Sequence, residues 1–319
     1  MNALTLFAGA GGADLGLRAA GFRHLACVEA DAHACATLAA ADFPAVRAWI
    51  GDGPQPERLV RGQVQPPLPV FRHDGAPVDL LWASPPCQPY SRAGQMLGAD
   101  DERDGWPATL AAIREVRPRW IVIENVVGSP AEVWADQIRG AGYPHVTAWR
   151  ANAVDWGLPS RRDRLYVIAG PKPWTPPAPT HYGPDVPWLL RGGRHPWNGF
   201  GAALGLVGTW GADMMRGEGM IERHGDRPVP TSENPAPTIR ARTHGSPPFM
   251  LVPVTPDSPA HTVGSSGRRA PTPAECAILV GFPIGHPFQG GITASYRQIG
   301  NAVAPIMAEV IGRAILGAA

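Results

Sequence analysis

Four short segments carry residue types that could do chemistry. Cys87 lies in Pro85-Pro86-Cys87-Gln88-Pro89-Tyr90-Ser91. A thiolate is a nucleophile, and two prolines stiffen the chain that aims it. The polar, proline-rich flank argues against the usual fate of a lone cysteine, a small buried hydrophobe. Glu124, in Glu124-Asn125-Val126, follows the apolar run Trp120–Ile123. A carboxylate there can have a raised pKa and donate a proton, with a solvated or salt-bridged carboxylate as the alternative. Arg162 and Arg164, in Arg161-Arg162-Asp163-Arg164, share a face of an extended segment. Two guanidiniums on one face suit an oxyanion, a phosphate or a base carbonyl, and a solvated charged strand end is the plainer reading. The fourth segment is Phe7-Ala8-Gly9-Ala10-Gly11-Gly12, with Glu29 twenty residues after Gly9. Glycines let the backbone approach a ligand, and an acid after the second strand can hold ribose hydroxyls. Asp14 stands where the third glycine of a dinucleotide fingerprint would be, so an adenosine ligand without pyrophosphate, such as S-adenosylmethionine, fits better. A plain glycine turn stays open for this motif taken alone.

These residues need elements to position them. Apolar runs predict strands at 3–7, 24–29, 78–83, 120–123 and 165–169, and helices at 14–20, 32–41 and 107–117. Strands alternating with helices predict an α/β layer around a parallel sheet. Each chemical segment falls just after a strand or at a strand start. Open α/β sheets bind ligands at the carboxyl ends of their strands. Seven prolines crowd residues 171–187, which predicts a linker. Residues 172–270 are rich in Gly, Pro, Arg and His, without helical periodicity, and hold ten Lys/Arg against seven Asp/Glu. Thr272-Pro273-Ala274-Glu275 reads as a capping box with proline at the first helical position, closed by Gly281. A last helix is predicted at 304–316.

Composition narrows the function classes. The chain has 319 residues, 44% hydrophobic and 17% charged, so it can bury a sizeable core and is not a disordered tail. Net charge is +1, so a polyanion would be met by a local patch rather than a global field. The four cysteines form no Cys-x-x-Cys pair and the ten histidines lack ligand spacing, so neither a disulfide framework nor a metal site is expected. No apolar run reaches spanning length and no signal peptide is legible, which predicts a cytoplasmic protein.

The motifs together, and their order, resemble the DNA (cytosine-5)-methyltransferases of bacteria and phages. The resemblance rests on Leu6–Gly12, Pro85-Pro86-Cys87-Gln88, Glu124-Asn125-Val126, Arg162-Asp163-Arg164, Thr272–Glu275 with Gly281-Phe282-Pro283, and Tyr296-Arg297-Gln298-Ile299-Gly300-Asn301. It implies a Rossmann-like S-adenosylmethionine-dependent methyltransferase sheet with a smaller, irregular target-recognition domain. The implied division is residues 1–171 plus 286–319 for catalysis and cofactor, and 172–285 for recognition. The cofactor would be held by Phe7, Ala8, Gly9, Gly11, Gly12, Glu29, Asp52, Pro86, Trp106, Asn301 and Val303.

The implied reaction explains the residue types. C5 of cytosine is a poor nucleophile until a thiolate adds at C6, so Cys87 attacks there. Glu124 would act at N3, Arg164 at the base carbonyl, and Arg162 would hold the catalytic loop or a phosphate. The base must leave the duplex to be reached. Ser91 and Arg92, on a loop that would close over it, are implied DNA contacts, as are Arg240 and Arg242 in the recognition region. Further arginines there, Arg191 and Arg194 among them, are candidates. The partners implied are double-stranded DNA and a separately encoded restriction endonuclease, with a monomer as the working unit at the nucleoid. Two departures stand out: Ser160 where the family often has glutamine, and Ala30 where an aromatic commonly follows the ribose-binding acid. The alternatives are a tRNA methyltransferase of the same fold, a non-catalytic DNA-binding paralogue and a nicotinamide-dependent oxidoreductase.

Overall fold

The computed structural model describes residues 1–50, 76–86, 104–213, 230–241, 247–254 and 267–318. Its main body is a seven-stranded sheet in the order β3-β2-β1-β4-β5-β7-β6. Here β1 is Asn2–Leu6, β2 Arg23–Glu29, β3 Ala45–Arg47, β4 Leu80–Ala83, β5 Trp120–Val126, β6 His145–Asn152 and β7 Asp163–Gly170. The first five run parallel. β7 is antiparallel to β5, and β6 to β7. The order reverses direction at β1, which creates a crevice where β1 and β4 end.

The central strands are buried on both faces and read as continuous apolar runs for that reason. Leu80, Trp82, Trp120 and Val122 face one core, packed by α1 (Gly12–Ala20) and the C-terminal helix (Pro305–Ala318). Leu81, Ala83, Ile121 and Ile123 face the other, covered by α3 (Trp106–Val116) and α4 (Ala131–Gly140). Helix α2 (Ala32–Ala40) starts on an Asp31 cap that accepts from the Ala34 N–H at 2.9 Å. The remaining α-helices among the described residues are α5 (Phe200–Leu204), α6 (Pro273–Val280), α7 (Ile292–Asn301) and α8 (Pro305–Ala318).

The capping box forms as its sequence predicts, with Gly281 closing α6 in the left-handed region at φ 93°. Strands β3 and β6 and helices α4 and α7 were not foreseen. A proline-rich segment follows β7 and runs back beside the edge strand β6, where the Thr147 hydroxyl reaches the Trp174 carbonyl at 3.5 Å. Proline has no N–H to offer, so it covers a sheet edge without extending it.

A third core joins residues 200–251 to the C-terminal helices. Phe200, Ala212, Ile239, Phe249 and Leu251 pack with Cys276 and Leu279 of α6 and with Tyr296 and Ile299 of α7. The short pair β10 (Trp210–Asp213) and β11 (Met250–Pro253) lies in this unit. The stretch Ile292–Gly317 has the length and composition of a membrane span. It is two helices parted at Ala302–Ala304, and Met307, Ile311 and Ile315 lie in the core.

Candidate active site and its relatives

Every described segment that carries chemistry reaches the carboxyl end of the sheet. The loop after β1 turns sharply, with Phe7 at φ 55°, Gly9 at φ 56° and Gly11 at φ 83°. A non-glycine residue at positive φ is uncommon and marks a turn held by its surroundings. Glu29, at the end of β2, holds this loop from below. Its carboxylate accepts the Gly9 N–H at 2.8 Å, the Ala30 N–H at 2.7 Å and the Asp31 N–H at 2.8 Å. Burial pushes the Glu29 carboxyl above its ordinary range, against the pull of those three donors.

A carboxylate has about four lone-pair positions, so Glu29 keeps capacity for a hydroxyl donor. Nothing lies within 4 Å of where a Cβ would stand on Gly9, which leaves open space above the loop. At Gly12 the opposite holds. A Cβ there would stand 2.1 Å from the Val303 carbonyl oxygen, so the C-terminal block closes directly on the start of α1. His286 adds a second clasp, its Nε2 lying 3.1 Å from the Ala10 carbonyl oxygen.

Pro86 and Phe7 meet beside Gly105, whose added Cβ would stand 2.9 Å from Pro86 and 2.7 Å from the Phe7 ring. Trp106 lies one residue on, 5% exposed, stacked on Trp134 at 4.9 Å between ring centroids and bonded to Gln137. Its indole supports the wall from behind, and Gly105, unmarked in the sequence reading, stands at the wall itself. Asn301 is exposed at the end of α7.

The end of β5 brings together the acid and one arginine. Arg164 Nε lies 3.0 Å from Glu124 Oε1, and Glu124 is 6% exposed. The antiparallel register that pairs Val126 with Arg164 makes this meeting possible. Asn125 fixes the approach to the cysteine segment. Its Nδ2 donates to the Pro85 carbonyl at 3.0 Å, while its Oδ1 accepts from Val126 N and Ser129 Oγ. Pro85 is two residues before Cys87. Cys87, Ser91, Arg92, Asp52 and Arg242 lie outside the described residues.

Arg162 does something other than meet a phosphate. It is 2% exposed, and its guanidinium donates to the Ile239 carbonyl at 3.4 Å, the Gly300 carbonyl at 3.1 Å and the Ala302 carbonyl. One side chain thus ties the start of β7 to Ile239 and to the C-terminal block. Arg240, next to Ile239, has an exposed side chain. Ser160 donates to the Leu279 carbonyl at 2.7 Å, and its neighbours Pro159 and Arg161 pair with Ala236. A longer glutamine would not fit that buried bond, which gives the departure at 160 a structural reason.

Among the described residues, Asp14, His24 and Cys27 bring ligating atoms within 4.8 Å of one another. Thr5 and Cys27 both donate to Asp14 Oδ1, at 2.6 and 3.1 Å, and burial pushes the Cys27 thiol far up. A thiol kept protonated as a donor is the reverse of what a metal requires.

The profile described as C-5 cytosine-specific DNA methylase matches residues 1–179 and 213–317. The chain belongs to that family. Type II methyltransferase M.NgoMIV of Neisseria gonorrhoeae is 30% identical over 99% of this chain and 97% of its own length. Type II methyltransferase M.NaeI of Lentzea aerocolonigenes is also 30% identical, over 100% of this chain and 75% of its own. The solved structure of Schizosaccharomyces pombe Dnmt2 shares the fold, at a TM-score of 0.63 and 17% identity over 99% of this chain and 97% of that one. Family membership makes this protein a DNA cytosine-C5 methyltransferase. The sequence relatives are type II methyltransferases, which does not favour the tRNA alternative.

Proposed function

We propose that this family member transfers a methyl group from S-adenosylmethionine to C5 of an extruded cytosine in duplex DNA, through a covalent bond between Cys87 and C6. The observation that carries the reading is the pairing of buried Glu124 with Arg164 at the carboxyl end of β5, beside a Pro85-Pro86 approach clamped by Asn125. The Cys87 thiolate adds to C6 and leaves C5 electron-rich. Glu124 holds a proton or hydrogen bond at N3 of the base, and Arg164 orients that carboxylate and reaches the base carbonyl. After transfer a base removes the C5 proton and the thiolate departs.

The residues present fit the cofactor. Glu29 has capacity for the ribose, Gly9 leaves space, and Phe7 and Pro86 form an apolar wall. When bound, S-adenosylmethionine supplies an electrophilic methyl group on a sulfonium. Ala8, Gly11, Gly12, Asp52, Trp106, Asn301 and Val303 complete the proposed cofactor set. Ser91, Arg92, Arg240 and Arg242 are proposed DNA contacts. We infer a catalytic unit of 1–171 plus 286–319 around a recognition unit of 172–285. We also infer DNA (cytosine-5-)-methyltransferase specificity and a monomer acting in the bacterial cytoplasm. A separately encoded restriction endonuclease is the proposed partner, on the strength of the type II relatives.

The test supplies isotope-labelled S-adenosylmethionine with duplex DNA or with tRNA. Label entering duplex DNA is expected, and label entering tRNA alone would overturn the reading. Cys87→Ala should abolish transfer while DNA binding persists, because a nucleophile is not a phosphate contact. Duplexes carrying 5-fluorocytosine should trap a covalent complex, visible as a gel shift that survives denaturation.

A further inference from the structure

Residues 180–198, which overlap the end of the proline-rich stretch, form a closed loop at the carboxyl end of the sheet. β8 (His181–Tyr182) and β9 (His195–Pro196) pair at its neck. The neck is bolted to the turn Ala153–Trp156 that follows β6. Thr180 N donates to the Asp155 carbonyl at 3.0 Å, Trp197 Nε1 to Asp155 Oδ1 at 2.9 Å, and Asn198 Nδ2 to the Gly157 carbonyl at 2.7 Å. Ala151 pairs with Arg164, so this turn sits at the same end of the sheet as the Glu124–Arg164 pair.

The tip of the loop is a single 3-10 turn, Trp188–Leu190. Its three side chains are 76%, 71% and 65% exposed. Other exposed large apolar residues among those described do not form such a run. The turn is locked rather than loose. Arg191 Nε donates to the Val186 carbonyl at 3.1 Å, with its guanidinium 4.9 Å from the Tyr182 ring centroid. Arg194 Nε donates to the Arg191 carbonyl at 2.9 Å, and its Nη2 to the Leu190 carbonyl. These two candidate arginines therefore build the loop and hold their positive charge beside its tip. A third, Arg161, lies over the Trp197 ring at the foot.

We propose that Trp188-Leu189-Leu190 is an apolar wedge that enters duplex DNA next to the extruded cytosine, with Arg191 and Arg194 turned to the flanking phosphates. The inference rests on the DNA-methylating reading. A rigid run of apolar side chains set among cations suits a nucleic acid: apolar wedges part stacked base steps while arginines meet the backbone. Duplex DNA must cover this end of the sheet to deliver a base to Glu124 and Arg164.

The test is the full chain carrying Trp188→Ser, Leu189→Ser and Leu190→Ser together. All three positions are exposed, so the fold should persist, as circular dichroism and unchanged S-adenosylmethionine affinity would show. Affinity for fluorescein-labelled random-sequence duplexes, read by anisotropy, should fall about tenfold or more, the value of one stacked aromatic. KM for plasmid DNA should rise with it. Duplex affinity within about twofold of the unaltered chain would overturn the proposal. So would a dimer in sedimentation that the substitutions dissolve while DNA affinity holds, since the tip would then seat a second copy. Failure of the unaltered protein to methylate any duplex is a separate outcome, and it would remove the reading beneath this one.

Discussion

Glu29 carries two duties on one carboxylate. It holds the loop after β1 through the Gly9 N–H and its own turn through the Ala30 and Asp31 N–H groups, and it is the proposed ribose acceptor. Both duties need the charged form, and burial raises the pH at which that form appears. Cofactor affinity should therefore weaken on acidification at a pH above the ordinary glutamate range and hold above it. Glu29→Gln should bind less tightly and lose this pH limb, as calorimetric titration across pH would show. A limb retained in Glu29→Gln would assign it elsewhere. Arg162 makes a different case, because its guanidinium meets three carbonyls from two distant segments. Arg162→Met should lower unfolding stability by about 1–3 kcal/mol for each carbonyl left unpaired. Arg162→Lys should not restore it, because an ammonium lacks the planar fork. Chemical denaturation checks both. The sequence showed that Arg162 and Arg164 share a strand face but not that they part in role. That split depends on Gly300 and Ala302, well over a hundred positions away, and no local pattern carries it.

At the scale of elements, α1 and α8 lie so close that side chains are excluded between them. A Cβ on Gly16 would stand 2.1 Å from the Pro305 carbonyl oxygen and 2.7 Å from Glu309 N, both backbone atoms. Gly16→Ala should therefore destabilise by about 1–3 kcal/mol despite alanine's better helix propensity. Gly140→Ala, at the end of α4 with nothing within 4 Å, should be neutral or stabilising by up to about 1 kcal/mol. Thermal melts of the pair isolate the packing effect. The elements most legible in sequence were those with local signals: the buried runs of β1, β4 and β5, and the Thr272–Glu275 box. β6 went unread because it borders the sheet and alternates apolar residues with charged and polar ones, His145, Arg150 and Asn152. α7 went unread because Gly300 and Asn301 weaken its pattern, yet Gly300 is there so that the backbone at Arg240–Ala241 can press against it.

Across the whole molecule, the third core couples residues 200–251 to α6 and α7, while α8 belongs to the sheet's own core. Unfolding should therefore appear as one calorimetric transition. Two resolved transitions would mean that this third core melts on its own. The proline-rich stretch after β7 is legible in the sequence but the short strands beyond it are not, because strands stabilised by distant partners leave little periodicity. One consequence of Val303 closing on Gly12 concerns timing. The Phe7–Gly12 loop precedes by almost three hundred residues the Val303 backbone that closes on it. In a polypeptide still being synthesised that loop thus stays open on one side until Val303 has emerged and docked.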